Sequence, residues 1–258
     1  MRQVIFQNFR LLFTEEIDST NQWMLNRIKA GESISNLVLC ADYQTSGKGL
    51  GENHWHSEKG KNLLFSLGLD AGFIAASAQF LITQIIALAV VDELSALTRE
   101  KDFRIKWPND IFFQEKKLGG VLISNTIRNG QLDESVIGIG LNVNQMTFPD
   151  WIPRPVSLRQ IVDREFDLQE ILKGILRRFS HRVDQAKSME GLGIINNEYH
   201  QKLFRIGEWH LYDINKKIAE LRIIGIGEYG MLVMETREGK TIHCDYKTVR
   251  FLFDDELC

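Results

Sequence analysis

The segment 103–124 constrains the fold of this chain more than any other stretch of the sequence. Its first residues, Phe-Arg-Ile-Lys-Trp, are strand-like, and Pro108 ends that strand because proline cannot donate to a β-ladder. Asn109 and Asp110 then favour a turn. The pattern predicts three successive antiparallel strands, at residues 103–107, 111–113 and 117–124.

Two lysines frame this β-hairpin. Lys106 lies near the end of the first predicted strand, and Lys117 begins the third. If these two strands are adjacent in the sheet, their paired side chains approach within roughly 5 Å. Two ammonium groups that close repel each other unless an anion lies between them. The hairpin is therefore a candidate anion site, and the alternative is an exposed, lysine-rich hairpin without a ligand.

The rest of the chain alternates helical and strand-like patterns up to about residue 204. Predicted helices occupy residues 18–30, 75–99, 157–162, 167–185 and 189–203, and predicted strands occupy residues 11–13, 36–43, 62–69 and 135–143. After about residue 204, short strands alternate with glycine-containing turns, which is typical of a small all-β barrel. The sequence thus predicts an α+β fold, with a mixed β-sheet flanked by helices at residues 1–204 and a small barrel at residues 205–258.

Composition limits the classes of partner and the compartment. The net charge is only −3, so the chain lacks the basic field that attracts nucleic acids, and we expect no nucleic-acid partner. Three widely spaced cysteines, Cys40, Cys244 and Cys258, predict neither a disulfide framework nor a zinc site and favour a cytoplasmic location. The most apolar window, 80–91, is expected to be too short to cross a membrane, and the N-terminus lacks the apolar core of a signal peptide.

A glycine-rich loop follows the predicted strand 36–43. It begins at Gln44 and contains Gly47-Lys48-Gly49 followed by Leu50. Glycines allow backbone N–H groups to approach an anion closely, and a lysine adds a positive charge. An ordinary surface turn can have the same composition, and no Gly-Lys-Ser/Thr sequence marks a Walker A loop. The loop becomes a candidate phosphate site only together with other motifs.

The motifs together resemble those of biotin protein ligases. The resemblance rests on Lys106-Trp-Pro-Asn-Asp110 followed by Lys117-Leu-Gly-Gly120, with Ser19-Thr20-Asn21, the glycine-rich loop, Trp55 and Gly138-Ile-Gly-Leu-Asn142 in the expected order. It implies a catalytic domain like that of class II synthetases and biotin–lipoate ligases, followed by an SH3-like domain. The implied reaction activates biotin with ATP to biotinyl-5′-AMP and then transfers biotin to a lysine of a biotin carboxyl carrier domain.

The resemblance also implies roles for individual residues. Biotin binding is implied for Ser19, Thr20, Asn21, Gln44, Gly47, Lys48, Gly49, Leu50, Lys117 and Gly119. ATP binding is implied for Lys48, Trp55, Lys106, Asn109, Asp110 and Asn142. Lys117 and Lys106 would be catalytic, and Asp110 would contact the Mg²⁺ that accompanies ATP.

The glycine-rich loop departs from the family pattern. Lys48 stands where an arginine is usual, and Leu50, Gly51 and Glu52 lack the second cation that usually follows. Because a lysine is a point charge without the bidentate fork of arginine, we expect a weaker grip on the phosphate.

Three other functions share some of these features. Lipoate or octanoate ligases and transferases have the same catalytic fold, but their substrates lack a ureido ring. A bifunctional ligase and repressor would need an N-terminal helix-turn-helix domain, and only 18 residues precede Ser19, so we expect no DNA binding. A biotin-binding module without activity would not need Lys106, Asn109, Asp110 and Asn142.

A homodimer is compatible with the sequence.

Overall fold

The computed structural model describes residues 1–253, which contain thirteen strands and five α-helices. The strands are β1 (Arg2–Phe6), β2 (Phe9–Ile17), β3 (Leu37–Gln44), β4 (Leu63–Asp70), β5 (Phe103–Lys106), β6 (Asp110–Phe113), β7 (Lys116–Arg128), β8 (Gln131–Leu141), β9 (Trp209–Ile214), β10 (Lys217–Ile226), β11 (Leu232–Glu235), β12 (Thr241–Cys244) and β13 (Val249–Phe251). The helices are α1 (Thr20–Lys29), α2 (Phe80–Thr98), α3 (Leu158–Val162), α4 (Leu168–Gln185) and α5 (Met189–Lys202). All five predicted helices are confirmed, whereas β1 was not predicted.

Eight strands form the main sheet, in the order β1-β2-β3-β4-β8-β7-β6-β5. Strands β2 and β3 are parallel and the other neighbours are antiparallel, which confirms the predicted mixed sheet. Helix α1 covers one face, where its Met24 packs against Leu39 and Val136. The other face packs against α2, which in turn contacts α4 and α5. The cores lie between these layers, as expected for a sheet with apolar residues on both faces.

Helix α2 corrects the expectation for the apolar window 80–91. The helix continues to Thr98, so by length and composition it could cross a membrane. Its apolar residues from Ile82 to Leu94 are buried, and they belong to the core shared with the sheet. Its apolar character is therefore accounted for by its place between the sheet and α4.

The order of the hairpin strands also differs from the prediction. Strand β6 lies between β5 and β7, so the strands that carry Lys106 and Lys117 are not adjacent. Lys106 pairs with Asp110, and Asp110 in turn pairs with Gly120 on β7. Each strand pairs with the next one in sequence because the turns between them are short. The two lysines consequently face each other across β6.

The C-terminal strands form a second, antiparallel sheet in the order β12-β11-β10-β9-β13. Its two edge strands do not pair with each other within residues 1–253, so the predicted barrel is an open sheet there. This sheet packs on the main one: the indole N–H of Trp107 donates to the Gly230 carbonyl at 2.8 Å, and Phe112 and Phe204 contact Phe253. The predicted domain boundary at residue 204 stays a prediction, and its C-terminal end at residue 258 lies outside the described residues.

Candidate active site

A cavity of about 700 Å³ opens on the face of the main sheet that carries α1. Gly120, Gly138 and Gly140 form part of its floor, because Gly120 pairs with Gly140 and residues two apart on a strand share a face. A Cβ atom on Gly140 would lie 2.5 Å from the indole of Trp55. The floor therefore needs glycine where the loop 45–56 lies on the sheet.

One end of the cavity is polar and uncharged. Ser19 caps α1 by accepting a hydrogen bond from the N–H of Gln22, and the next two residues are buried at the helix start. The backbone N–H and the hydroxyl of Thr20 both donate to the Gln44 Oε1, at 2.8 and 3.0 Å. Asn21 donates to the Leu122 carbonyl at 3.5 Å. The structure thus brings together the four polar residues for which the resemblance implied biotin contacts.

Ser66 belongs to the same polar cluster and was missed by the sequence analysis. Its hydroxyl lies 2.9 Å from the hydroxyl of Thr20. The residue lies within the apolar strand β4, where a single serine gives no signal that it faces a cavity and not the core. Only the pairing of β4 with β8, which places Ser66 opposite Gly138, identifies its position.

The other end of the cavity is charged. The Asp110 carboxylate lies 2.6 Å from the Lys117 ammonium and 3.7 Å from the Lys106 ammonium. The anion expected between the two lysines is therefore supplied by the chain itself. Burial lowers the pKa of Lys106, the charge of Asp110 opposes this shift, and the charges of Lys117 and Arg205 add to it.

Rings and amides complete the charged end. The Lys106 ammonium lies 4.7 Å from the ring of Phe251, a residue of the second sheet. The Asn109 amide donates to the Val121 carbonyl at 2.6 Å, and the Asn142 amide donates to the Val156 carbonyl at 3.2 Å. These bonds fix the orientation of both amides. The side chains of Asn109, Asn142 and Phe251 all line the cavity. Tyr246, Val249, Arg250 and Phe251 extend the lining into the second sheet, and no sequence motif had indicated them.

The glycine-rich loop forms one wall. Lys48 donates to the Gln22 side chain at 2.9 Å and lies at the cavity together with Gly49 and Leu50. The Trp55 indole N–H is buried and has no hydrogen-bond partner in the described part of the chain. Trp55 lines the cavity, so its ring is a candidate stacking surface for a planar ligand.

Two glycines assigned to biotin do not line the cavity. A Cβ on Gly47 would lie 2.7 Å from the Trp55 carbonyl oxygen, so this glycine serves the packing of the loop. A Cβ on Gly119 would lie 2.9 Å from Leu141 Cδ1 and 2.8 Å from the Gly140 carbonyl oxygen. Since neighbouring residues on a strand face opposite sides, Gly119 points toward the core while Gly120 faces the cavity.

The donor atoms do not form a complete site for a protein-held metal ion. Among residues 1–253, Asp110 and Glu52 are the carboxylates that line the cavity, and Asp110 is already paired with two ammonium groups. Within residues 1–253, no group of three or more His, Cys, Asp or Glu side chains could hold a metal. The contact between Asp110 and Mg²⁺ stays a prediction.

Comparisons with known proteins place this geometry in a family. The chain is 39% identical over 129 residues to the bifunctional ligase/repressor BirA of Escherichia coli, a match that covers 49% of this chain and 38% of that protein. It is 29% identical over 238 residues to BirA of Bacillus subtilis, covering 88% of this chain and 70% of that protein. It is 29% identical over 173 residues to the biotin–[acetyl-CoA-carboxylase] ligase of Mycobacterium tuberculosis, covering 66% and 62% of the two chains.

A solved structure resembles the whole described fold. The biotin protein ligase from Aquifex aeolicus in complex with biotin and ATP superposes with a TM-score of 0.77 at 28% identity, covering 96% of this chain and 99% of that chain. The family model for biotin/lipoate A/B protein ligases matches residues 13–142, about half of the chain and most of the cavity lining. The chain therefore belongs to the biotin/lipoate A/B protein ligase family.

Proposed function

We propose that this protein is a biotin protein ligase. It activates biotin with Mg·ATP to biotinyl-5′-AMP and transfers biotin to a lysine of a biotin carboxyl carrier domain. The observation that carries the proposal is a single cavity with a neutral polar cluster at one end and two lysines at the other. The Aquifex aeolicus relative holds biotin and ATP, and the Mycobacterium tuberculosis relative is named for this reaction.

The register of the sheet gives the distance between the two ends. Ser66 pairs with Gly138, Gly138 pairs with Leu122, and Asp110 pairs with Gly120, so Ser66 and Asp110 are three strands and two residues apart. With about 4.8 Å per strand and about 3.4 Å per residue, their Cα atoms lie about 16 Å apart. This length suits an extended ligand with a polar ring at one end and a carboxylate at the other, once the side chains at both ends are allowed for.

The first half-reaction joins the biotin carboxylate to the α-phosphorus of ATP. A carboxylate oxygen forms the new bond to phosphorus, and the bond to pyrophosphate breaks, so the enzyme needs no nucleophile of its own. Lys117 and Lys106 bring positive charge to the place where the carboxylate and the phosphate meet, which stabilises negative charge that builds up in the transition state. Asp110 keeps the two ammonium groups together before the substrates bind.

The second half-reaction moves biotin to the carrier. The ε-amine of the carrier lysine attacks the acyl carbon of the adenylate, an amide bond forms, and AMP leaves with the former carboxylate oxygen. The cavity supplies positioning for both steps, which is the main catalytic contribution in reactions of this kind. Because Tyr246, Val249 and Phe251 reach the cavity, the second sheet helps to close the site around ATP and the adenylate.

Transfer of lipoate or octanoate is the second function of this family. Its substrates carry an apolar dithiolane or alkyl chain, which offers no partner to the Gln44 NH₂ group or to the remaining acceptor position of the Thr20 hydroxyl. Buried polar groups without partners cost free energy, so the polar end favours biotin over these acids.

Pyrophosphate release tests the proposal. The protein is incubated with Mg·ATP and biotin, lipoate or octanoate in separate reactions, and a biotin carboxyl carrier domain is then added to follow labelling. We expect pyrophosphate release and carrier labelling in the reaction with biotin and not in those with lipoate or octanoate. Release with lipoate or octanoate but not with biotin would overturn the assignment. A cytoplasmic location, a homodimer and the lack of a nucleic-acid partner stay predictions.

A further inference from the structure

We propose that Ser66 is a positioning residue that makes the polar end of the cavity specific for a cyclic urea. The proposal rests on the proposed function, because it takes biotin as the ligand. Ser66 is the first donor of a hydrogen-bond chain that runs through Thr20 to Gln44, and the direction of this chain decides which ligand groups the cavity can satisfy.

Ser66 is placed for this role by β4. The residue is 0% exposed, and its side chain lies on the cavity face, because its strand partner Leu39 packs against α1 on that same face. Its neighbour across the sheet is Gly138, where a Cβ atom would lie 3.5 Å from the Ser66 Oγ and 3.1 Å from the Asn21 amide. The lack of a side chain at Gly138 leaves space in front of both polar groups.

The hydrogen atoms of the chain can be assigned by counting donors. The backbone N–H of Thr20 can only donate, so the atom of Gln44 that faces it at 2.8 Å is the carbonyl oxygen. The same oxygen lies 3.0 Å from the Thr20 hydroxyl and accepts its single proton. The bond of 2.9 Å between Thr20 and Ser66 must then use the Ser66 proton. The chain runs in one direction, from Ser66 to Thr20 to Gln44.

This direction determines what the cavity offers to a ligand. The hydroxyl groups of Ser66 and Thr20 already donate their single hydrogens, to Thr20 and to Gln44, so their oxygens can only accept a hydrogen bond from a ligand. The Gln44 NH₂ group, in contrast, can only donate. A cyclic urea carries N–H groups beside a carbonyl oxygen and matches both. A dithiolane or an alkyl chain matches neither. Without the Ser66 proton, the Thr20 oxygen loses one of the two hydrogen bonds that hold it in place.

Ser66→Ala in the full chain tests the proposal. A hydrogen bond of this kind contributes a net 0.5–1.5 kcal/mol, so we expect biotin to bind roughly two- to twelvefold more weakly by calorimetry without ATP. The KM for biotin in pyrophosphate release should rise by the same factor while kcat stays within about twofold, because Ser66 is far from the reacting carboxylate. Desthiobiotin keeps the urea and lacks the sulfur ring, so it should lose affinity by the same factor.

Ser135→Ala is the matched control. Ser135 is also 0% exposed in the main sheet, its hydroxyl has no partner within residues 1–253, and it does not line the cavity. This variant should bind biotin as the wild type does. Should Ser66→Ala not fold, Ser66→Cys carries the test, because its somewhat larger thiol stands in the place of the hydroxyl and is only a weak donor. It should fold and still raise the KM.

Three results would overturn the proposal. They are an unchanged KM in a folded Ser66 variant, an equal rise in the Ser135 variant, and a loss that affects biotin but not desthiobiotin. The last result would mean that Ser66 contacts the sulfur ring and not the urea. A wild-type protein that binds no biotin would instead refute the proposed function, so the two failures can be distinguished.

Discussion

Replacement of Lys117 by alanine tests the charged end of the cavity most directly. The ammonium of Lys117 lies 2.6 Å from Asp110 and 6.0 Å from the centre of a Trp55 ring, so it stands between the two parts of the site assigned to phosphate and adenine. Loss of one preorganised group that stabilises transition-state charge typically costs 10²–10³ in rate, which corresponds to about 2.7–4 kcal/mol. We expect pyrophosphate release from Lys117→Ala to slow by this factor.

The fold should tolerate the change. The Lys117 side chain is 33% exposed, and ion pairs of such partly exposed groups contribute about 0–1 kcal/mol to stability. Asp110 keeps Lys106 as a second partner at 3.7 Å, so its carboxylate is not left unpaired. Thermal unfolding should therefore shift little.

Lys116→Ala is the matched control, because Lys116 is the preceding residue on β7, is exposed and does not line the cavity. The assay is single-turnover pyrophosphate release with biotin and Mg·ATP, together with thermal unfolding of each variant. Lys116→Ala should keep the wild-type rate. A rate within a few-fold of the wild type for a folded Lys117→Ala protein would refute the role of this lysine. Equal losses in both variants would point to a general loss of positive charge.

Asp110→Asn removes the negative charge that partly offsets the lowering of the Lys106 pKa by burial, so this pKa should fall further. Because Lys106 acts as a cation, pyrophosphate release should be lost at a lower pH than in the wild type, and an unchanged pH profile would contradict this. Leu50→Arg adds the cation that the loop lacks and should slow the release of biotinyl-5′-AMP, which a single-turnover chase measures. An unchanged lifetime of bound biotinyl-5′-AMP would mean that the existing donors already satisfy its phosphate. Gly140→Ala places a Cβ 2.5 Å from the Trp55 ring and should displace the indole. Calorimetry should then show a larger loss in ATP affinity than in biotin affinity, and equal losses would argue against stacking of adenine on Trp55.

The C-terminal sheet cannot be removed as a clean test of its role. Its Phe251 and Phe253 pack on Phe204, which contacts Phe112 of β6, so one apolar core continues across the predicted boundary. Truncation at residue 205 would remove Phe251 and Phe253 and expose the rings of Phe204 and Phe112 that they cover, and burial of one such side chain contributes about 1.5–3 kcal/mol. Point substitutions in the cavity are therefore the appropriate test of this sheet.

Short-range physics made much of the fold readable from the sequence. The start of α1 follows from Ser19, whose side chain accepts a hydrogen bond from the backbone N–H of Gln22, and such a cap involves only four consecutive residues. The hairpin turn follows from Pro108 and its two neighbours in the same way. The resemblance likewise named Lys106, Asp110 and Lys117, which the structure brings to one end of the cavity, because the motifs that contain them are contiguous in sequence.

Tertiary structure alone decided which strands are neighbours and hence which side chains meet. With β6 between β5 and β7, Asp110 lies between the lysines, and the alternation along β7 turns Gly120 and not Gly119 toward the cavity. Ser66 enters the polar end only because β4 pairs with β8, and Phe251 reaches Lys106 from a sheet far along the chain. Periodicity records that a strand has a buried face, but the partner across the sheet is set by packing between segments distant in sequence, and no local pattern encodes it.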